Sequence, residues 1–429
     1  MAGPLGRSGM NIRLYLRQSF MLLFGNGAAQ LINLASYVIL ARLYAPGEFG
    51  GFALFMTVVG VFGPIACGRF DLIIQSAPDR QLPALITRAR RANILVSSVL
   101  AVGSMAFGAL SGKISVIEGL LVGAGVFLTG WVLTSNARLI RAEHYSVASR
   151  TTVIRSAATA ASQVALAFLN PTALSLIIGF CAGFAVQALF MTRAVQGLPG
   201  PRSTRRRDRF ITARYASQIS LDIPTAVLLG TVLNIMNFLV LDLYSREEVG
   251  FYSMAYRVAA LPLTLISGAL AEVFYQKASA SFRATQGFWR ELKFNLLLTM
   301  SISLFIIVPI GVLAPPIFSI AFGQQWERAG YLVICLLPLL AVRLVTDSVQ
   351  IAPLIMGRAS WRLATQLALL GVIGLSYAWA KLFRLPIEGF VTSTSLLMAA
   401  VYASFVILLA STVRRNYRGR DQRKAQTSP

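Results

Sequence analysis

The sequence predicts an all-α membrane protein of about twelve spanning helices, arranged as two parallel-related six-helix bundles around a central cavity. Three observations predict it. First, the 429 residues are 56% hydrophobic and 13% charged, with a mean hydropathy of +0.67, whereas soluble domains carry about 25% charged residues. Second, the apolar residues fall in runs of about 20, the length that crosses a bilayer core of about 30 Å. Third, Lys and Arg alternate between the segments that join the runs. With the amino terminus placed inside, 30 of the 39 fall in inside segments, six in outside segments and three within runs. That bias puts both termini in the cytoplasm.

The runs, in order, are 20–42, 50–74, 92–111, 116–137, 152–169, 173–193, 221–241, 250–275, 294–314, 329–351, 363–381 and 387–410. Arg7, Arg13 and Arg17 precede the first, which lacks a small-residue cleavage site and reads as an uncleaved span. The boundaries of the fourth to sixth are the weakest, because "RAEHYSVASRTTVIRS" blends into its neighbours; Arg155 is counted there with the inside segment. The longest basic loop contains "GPRSTRRRDRF" at 200–210. It divides the chain into bundles at 1–196 and 217–412, a linker at 197–216 and a basic tail at 413–429. The net charge of +23 is spread over such clusters, whereas a nucleic-acid binder gathers its cations on one face. Anionic membrane lipids are the expected partners of the clusters. Recruitment of an acidic substrate, or of glycan-assembly enzymes, remains open.

A repeat supports the division. "LYAPGEFGGF" at 43–52 returns as "LYSREEVGFY" at 243–252, pairing Leu43 with Leu243, Tyr44 with Tyr244, Glu48 with Glu248 and Gly50 with Gly250. Each copy opens the second run of its half on the outer side. Six runs per half keep the halves in one orientation, as in transporters whose halves are related by an axis along the membrane normal. An acidic residue in the first turn of each helix complements the helix dipole.

The stretches "RLYAPGEFGGFALFMTVVGVFGPIACGRFDLIIQSAP" (42–78) and "LYSREEVGFYSMAYRVAALPLTLISGALAEVFYQKAS" (243–279) resemble the two signatures of bacterial polysaccharide or oligosaccharide flippases. These belong to the multidrug/oligosaccharidyl-lipid/polysaccharide exporter superfamily. The resemblance carries Arg69, Asp71, Tyr256, Arg257, Pro262, Tyr275 and Gln276 over from the motifs; the first more often reads Glu where Asp71 stands. It implies a non-enzymatic transporter of the bacterial inner membrane. Such a flippase moves a polyprenyl-pyrophosphate-linked glycan between leaflets.

Charged residues within spans are costly and so are candidates for function. Arg69, 19 residues past Gly50, lies about 28 Å into its helix, near the cytoplasmic surface, where snorkelling suffices to explain it. Asp71 and Glu272 lie similarly deep, and Asp222 opens its span from the inside; these are candidates for coupling or for a structural role. Arg257 lies about 10 Å below the outer surface and has no acidic neighbour at helical spacing, which favours a water-filled cavity. Arg343, about 21 Å deep, has Asp347 four positions on, so that a purely structural pair and a functional one stay equally open. Guanidinium groups suit phosphate because their planar donors bind two oxygens at once. Tyr252 and Tyr256 share that neighbourhood and suit stacking on sugar rings. Pro262 can kink its helix, while Trp326, Tyr331 and Trp361 read as interfacial anchors.

No cofactor is expected. "GALSGKIS" at 108–115 lacks the spacing of a phosphate-binding loop, and Cys67, Cys181 and Cys335 lie in apolar runs without metal spacing. His144 is the one histidine and reads as a solvated loop residue. A cation-coupled exporter of small molecules is the rival within the superfamily. An integral membrane glycan polymerase or ligase and an assembly scaffold are rivals of other classes.

Overall fold

The structure, a computed structural model, describes residues 12–111, 115–198, 215–285, 287–358 and 360–426. Most of the predicted linker and the "RRR" cluster lie outside these residues. Among the described residues, twelve long helices follow the twelve apolar runs one for one. They are α1 (Ile12–Leu43), α2 (Pro46–Phe62, continued after a break by α3, Phe70–Ser76), α4 (Leu82–Ser111), α5 (Val116–Arg141), α6 (Tyr145–Ala167) and α7 (Ala173–Ala194). The second set is α8 (Ala216–Leu243), α9 (Arg246–Thr285), α10 (Trp289–Phe322), α11 (Glu327–Val349, extended by the single turn α12, Ala352–Ile355), α13 (Ser360–Phe383) and α14 (Ile387–Gln426). No strand occurs among the described residues. Among the described residues, ten of the helical segments are long and apolar enough to cross a membrane; α1 and α6 are not among them.

The chain forms two compact units. One comprises Met1–Tyr37, Val58–Asn170 and Leu174–Pro224, and the other Val38–Thr57, Pro171–Ala173 and Thr225–Pro429. The boundaries run through α1, α2 and α8, the last at Pro224.

In the first unit, small residues let helices approach closely. A Cβ on Gly119 or Gly123 would press on the backbone of Met105 or on Ser97 and Ala101 of α4, and one on Gly179 or Gly183 would meet Gln163 or Thr159 of α6. Such small-xxx-small spacing suits association in lipid, where close van der Waals contact replaces the hydrophobic drive. Ser115 caps α5 with Glu118 in a reciprocal capping box. Large apolar side chains are exposed in each unit, Leu110 at 89% in the first and Phe305 at 80% in the second. That is the expected surface of a protein dissolved in acyl chains rather than water.

The predicted second run, 50–74, is interrupted. After Phe62 the chain makes a 3-10 turn at Gly63–Ile65, and Gly68 and Arg69 adopt left-handed backbone with φ of 64° and 59°. Pro64 supplies no N–H to continue the ladder, and Gly68 enters that region without a Cβ penalty. Arg69 is therefore the residue before α3 rather than a mid-helix side chain.

The repeated motif has a structural role in the second unit. The first turns of α2 and α9 touch at the matching glycines. A Cβ on Gly50 would collide with the carbonyl of Arg246, and one on Gly250 with the carbonyl of Pro46. Tyr44 and Tyr244 are pinned behind these turns: Tyr44 packs edge-on against Phe49, and the Tyr244 hydroxyl donates to the Leu385 carbonyl at 2.8 Å. Burial pushes both phenols up to about 12. Glu48 accepts from the Ala173 N–H at 2.6 Å, at the start of α7, whereas Glu248 takes Arg328 at 2.6 Å. Gly50→Ala or Gly250→Ala is expected to destabilise by about 1–3 kcal/mol, because overpacking a contact with backbone forces main-chain shifts. The thermal midpoint of the detergent-solubilised protein, compared with that of Gly47→Ala, whose added Cβ meets open space, checks this.

Candidate functional site

The candidate site of the second unit is built on α9 and α11. Arg343 forms its centre. Its Nε donates to Asp347 Oδ2 at 3.2 Å, one helical turn on, and its Nη1 donates to the Tyr256 hydroxyl. Tyr252 stacks on Tyr256 with ring centroids 6.2 Å apart and planes 16° from parallel, so the i,i+4 spacing on α9 makes a short aromatic ladder ending on the guanidinium. Tyr402 of α14 is 3% exposed and lies within electrostatic range of both Arg343 and Asp347.

Beside the ion pair lies a cavity of about 10 Å³, lined by Ala260, Leu263, Thr264, Leu340, Leu344 and the pair itself. That is room for one water molecule. Pro262 sits at the same level of α9, between lining residues. Proline cannot bond to the carbonyl four residues earlier, so the helical ladder lacks one bond at this level. The Arg343 and Asp347 side chains are 17% and 24% exposed. A charge pair so placed is neutral overall and keeps access to a proton or to water.

Arg257 lies one residue from Tyr256 but aims elsewhere. Its guanidinium carbon is 5.6 Å from the centre of the Phe52 ring, the side chain that corresponds to Tyr252 in the first motif copy. The structure thus separates two candidates: Arg343 is engaged by a carboxylate and a phenol, and Arg257 by an aromatic face.

The remaining candidates are not drawn into this cluster. Arg69 and Asp71 belong to the first unit, 4.0 Å apart, with Arg69 donating to the Pro64 carbonyl at 3.4 Å. Asp71 is 6% exposed and accepts from the Cys67 thiol at 3.3 Å. Glu272 is exposed on the distal half of α9. His144 is exposed in the turn before α6.

Two expectations need correction. Trp326 is not an interfacial anchor: it is fully buried, its Nε1 donating to the Ala41 carbonyl at 2.7 Å. Phe49 and Phe251 meet it edge-on at 5.0 and 5.9 Å. Its neighbour Tyr331 is 51% exposed, as an anchor would be. Sequence position could not separate the two, since both lie near one span end and only packing distinguishes them. Arg155 is not in a loop. It stands ten residues into α6, about 15 Å from the helix start, with its guanidinium 4.7 Å from the Phe184 ring. The low apolarity of α6 hid this; a single cation between Thr151 and Thr159 on a helical register was the signal available.

The fold matches solved transporters across nearly the whole chain. It superposes on the lipid II flippase MurJ in an inward closed conformation with a TM-score of 0.74 at 13% identity, covering 92% of this chain and 87% of that one. It superposes on a multidrug resistance MATE family transporter of the MOP superfamily with a TM-score of 0.69 at 12% identity, covering 90% and 96%. A MOP superfamily transporter from Pyrococcus furiosus, titled for the reverse polarity of its binding pocket, matches with a TM-score of 0.63 at 14% identity, covering 94% of each chain. No curated protein matches the chain.

These likenesses define the class: a multi-pass, all-α membrane protein with the transporter fold shared by MurJ and the MATE proteins. Within it, the chain belongs to the polysaccharide biosynthesis protein family, whose profile matches residues 39–330, more than half its length.

Proposed function

We propose that the protein translocates a polyprenyl-pyrophosphate-linked oligosaccharide across the bacterial inner membrane by alternating access, with both termini cytoplasmic. Two parallel-related six-helix bundles would face a cationic path, linked through 197–216. The observation that carries this reading is the site chemistry in a chain of this family. Arg257 rests on an aromatic face, and Arg343 is flanked by the stacked pair Tyr252 and Tyr256. Guanidinium groups bind phosphate oxygens through paired donors, and tyrosine faces stack on sugar rings.

In this reading Arg257 binds substrate, while the Arg343–Asp347 pair couples binding to a proton. An anionic head group approaching Arg343 competes with Asp347, which can then take up a proton through the adjoining cavity. Pro262 places the pivot of α9 at that level. Arg69 and Asp71 hold the α2–α3 break, and Glu272 is a second coupling candidate. The MATE likeness supports one rival, a cation-coupled exporter of small molecules.

The test is complementation of a strain lacking the gene, scored by surface polysaccharide. Arg257→Gln is expected to lower export about 10- to 100-fold, the worth of one or two charge-assisted hydrogen bonds. Unchanged polysaccharide with this variant, together with efflux of a cationic dye by the wild type, would favour the rival.

A further inference from the structure

We infer that Asn237 is a specificity-determining residue of the second unit, whose side-chain carbonyl accepts a hydrogen bond from a sugar hydroxyl or acetamido N–H of the cargo, next to the pyrophosphate. The inference rests on the proposed translocation and deepens it by naming a group that reads the glycan.

Position is the first argument. Asn234 and Asn237 are the two amides in the apolar run 221–241, and polar side chains within a span are costly and mark substrate pathways. The Asn237 Nδ2 donates to the Thr57 hydroxyl at 2.9 Å, which ties α8 to α2 inside the second unit. Thr57 is the counterpart of Arg257 in the repeat, each seven residues past its matching glycine. Gly50 and Gly250 each lie against the opposite helix start. Seven further residues therefore bring Thr57 and Arg257 to one level, about 10 Å along their helices. Arg257 itself reaches α2 at Phe52. Asn237 is thus held at the depth of the guanidinium proposed to bind the phosphate.

Hydrogen-bond arithmetic is the second argument, and an independent one. A hydroxyl has one proton, and Thr57 gives its own to the Ala53 carbonyl at 2.8 Å. Thr57 can then only accept from Asn237, so the amide is held with its nitrogen toward Thr57 and its Oδ1 away from it. That oxygen is buried and has no hydrogen-bond partner among the described residues. Buried polar atoms are nearly always bonded, so an orphan acceptor marks a missing donor. Asn234, one turn along α8, likewise spends its Nδ2 within its own helix, on the Gly230 carbonyl at 2.9 Å.

The chemistry selects that donor. Arginine supplies donors alone, which suits phosphate oxygens. A carbonyl at the same level gains nothing from the pyrophosphate, whose oxygens also accept. It is complementary only to a cargo that carries O–H or N–H groups beside its anion, as a hexose or an N-acetylhexosamine does. A site built around such a bond rejects a ligand that lacks the donor.

The experiment is equilibrium binding of two probes to the full-length protein in phosphatidylcholine nanodiscs: farnesyl pyrophosphate, and farnesyl pyrophosphate bearing N-acetylglucosamine on its terminal phosphate. Asn237→Leu, similar in shape and without polar side-chain atoms, is expected to weaken the sugar-bearing probe about 3- to 10-fold, the worth of one neutral hydrogen bond. It is expected to leave farnesyl pyrophosphate unchanged, whereas Arg257→Gln weakens both. An equal effect of Asn237→Leu on the two probes, or none on either, would overturn the inference. Thr57→Val removes the tie and keeps the carbonyl; a loss of selectivity as large as that of Asn237→Leu would make the tie responsible and reject a direct contact. Should Asn237→Leu not give monodisperse protein, Asn237→Ala is read in the same way. Wild-type protein that binds neither probe would sink the proposed translocation and this inference together. Wild-type binding of both, with no selective loss in the Asn237 variant, rejects the role of Asn237 alone.

Discussion

Asp347→Ala is expected to destabilise the folded protein by about 3 kcal/mol, the low end of the cost of stranding one partner of a buried ion pair. The low end applies because 24% of the Asp347 side chain stays exposed, so water can solvate part of the uncompensated charge. Arg343 would be left with the Tyr256 hydroxyl alone from its present partners, a neutral acceptor in place of a carboxylate. The double replacement Arg343→Met with Asp347→Leu removes both charges and keeps the volume, and such swaps are often neutral or stabilising. Thermal unfolding in detergent checks the stability, and surface polysaccharide checks the function. Restored stability without restored export assigns the pair to transport. Restoration of both leaves it a packing device, and export must then rest on Arg257 alone. Wild-type stability in Asp347→Ala would show that the ion pair contributes nothing to the fold.

Trp326→Ala is expected to cost about 3–5 kcal/mol, the range for deleting a large buried aromatic. The indole fills a fully buried site between Phe49 of α2 and Phe251 of α9, so truncation leaves a void beside both copies of the repeated motif. The Ala41 carbonyl also accepts from Gln325 at 2.7 Å, and so would not be orphaned. Trp326→Phe therefore isolates the indole N–H, worth about 1 kcal/mol. The difference between the two thermal midpoints separates ring volume from hydrogen bond. A loss under 1 kcal/mol in the alanine variant would mean that these helix starts are held by the glycine contact instead.

Both predictions concern positions that the sequence located but could not interpret. Hydropathy placed the spans closely, because lipid demands long apolar helices whatever packs behind them. The pairing of Arg343 with Asp347 was legible as well, since helical spacing alone brings positions i and i+4 together. The break at 63–69 was not, although Gly63, Pro64 and Gly68 were all in view. Membrane helices tolerate such residues, and only the local backbone shows where the ladder stops. Arg155 was misplaced because a helix that lines protein or ligand rather than lipid need not be apolar, so hydropathy has little to detect.

By itself the sequence determined an all-α membrane chain, its twelve helices, a duplicated entry motif and kinship with flippases. The first three follow from composition, spacing or local periodicity, and the kinship from the resemblance of 42–78 and 243–279 to known signatures, all of which a linear string records. The tertiary structure alone decided that Gly50 and Gly250 touch, that Trp326 is an internal wedge, and that Arg257 and Arg343 point to different partners. It also decided that Arg155, ten residues into its helix, rests on the Phe184 ring of α7. Those outcomes depend on which surfaces meet across hundreds of residues, and a side chain's cost or use in the bilayer is set by what it meets.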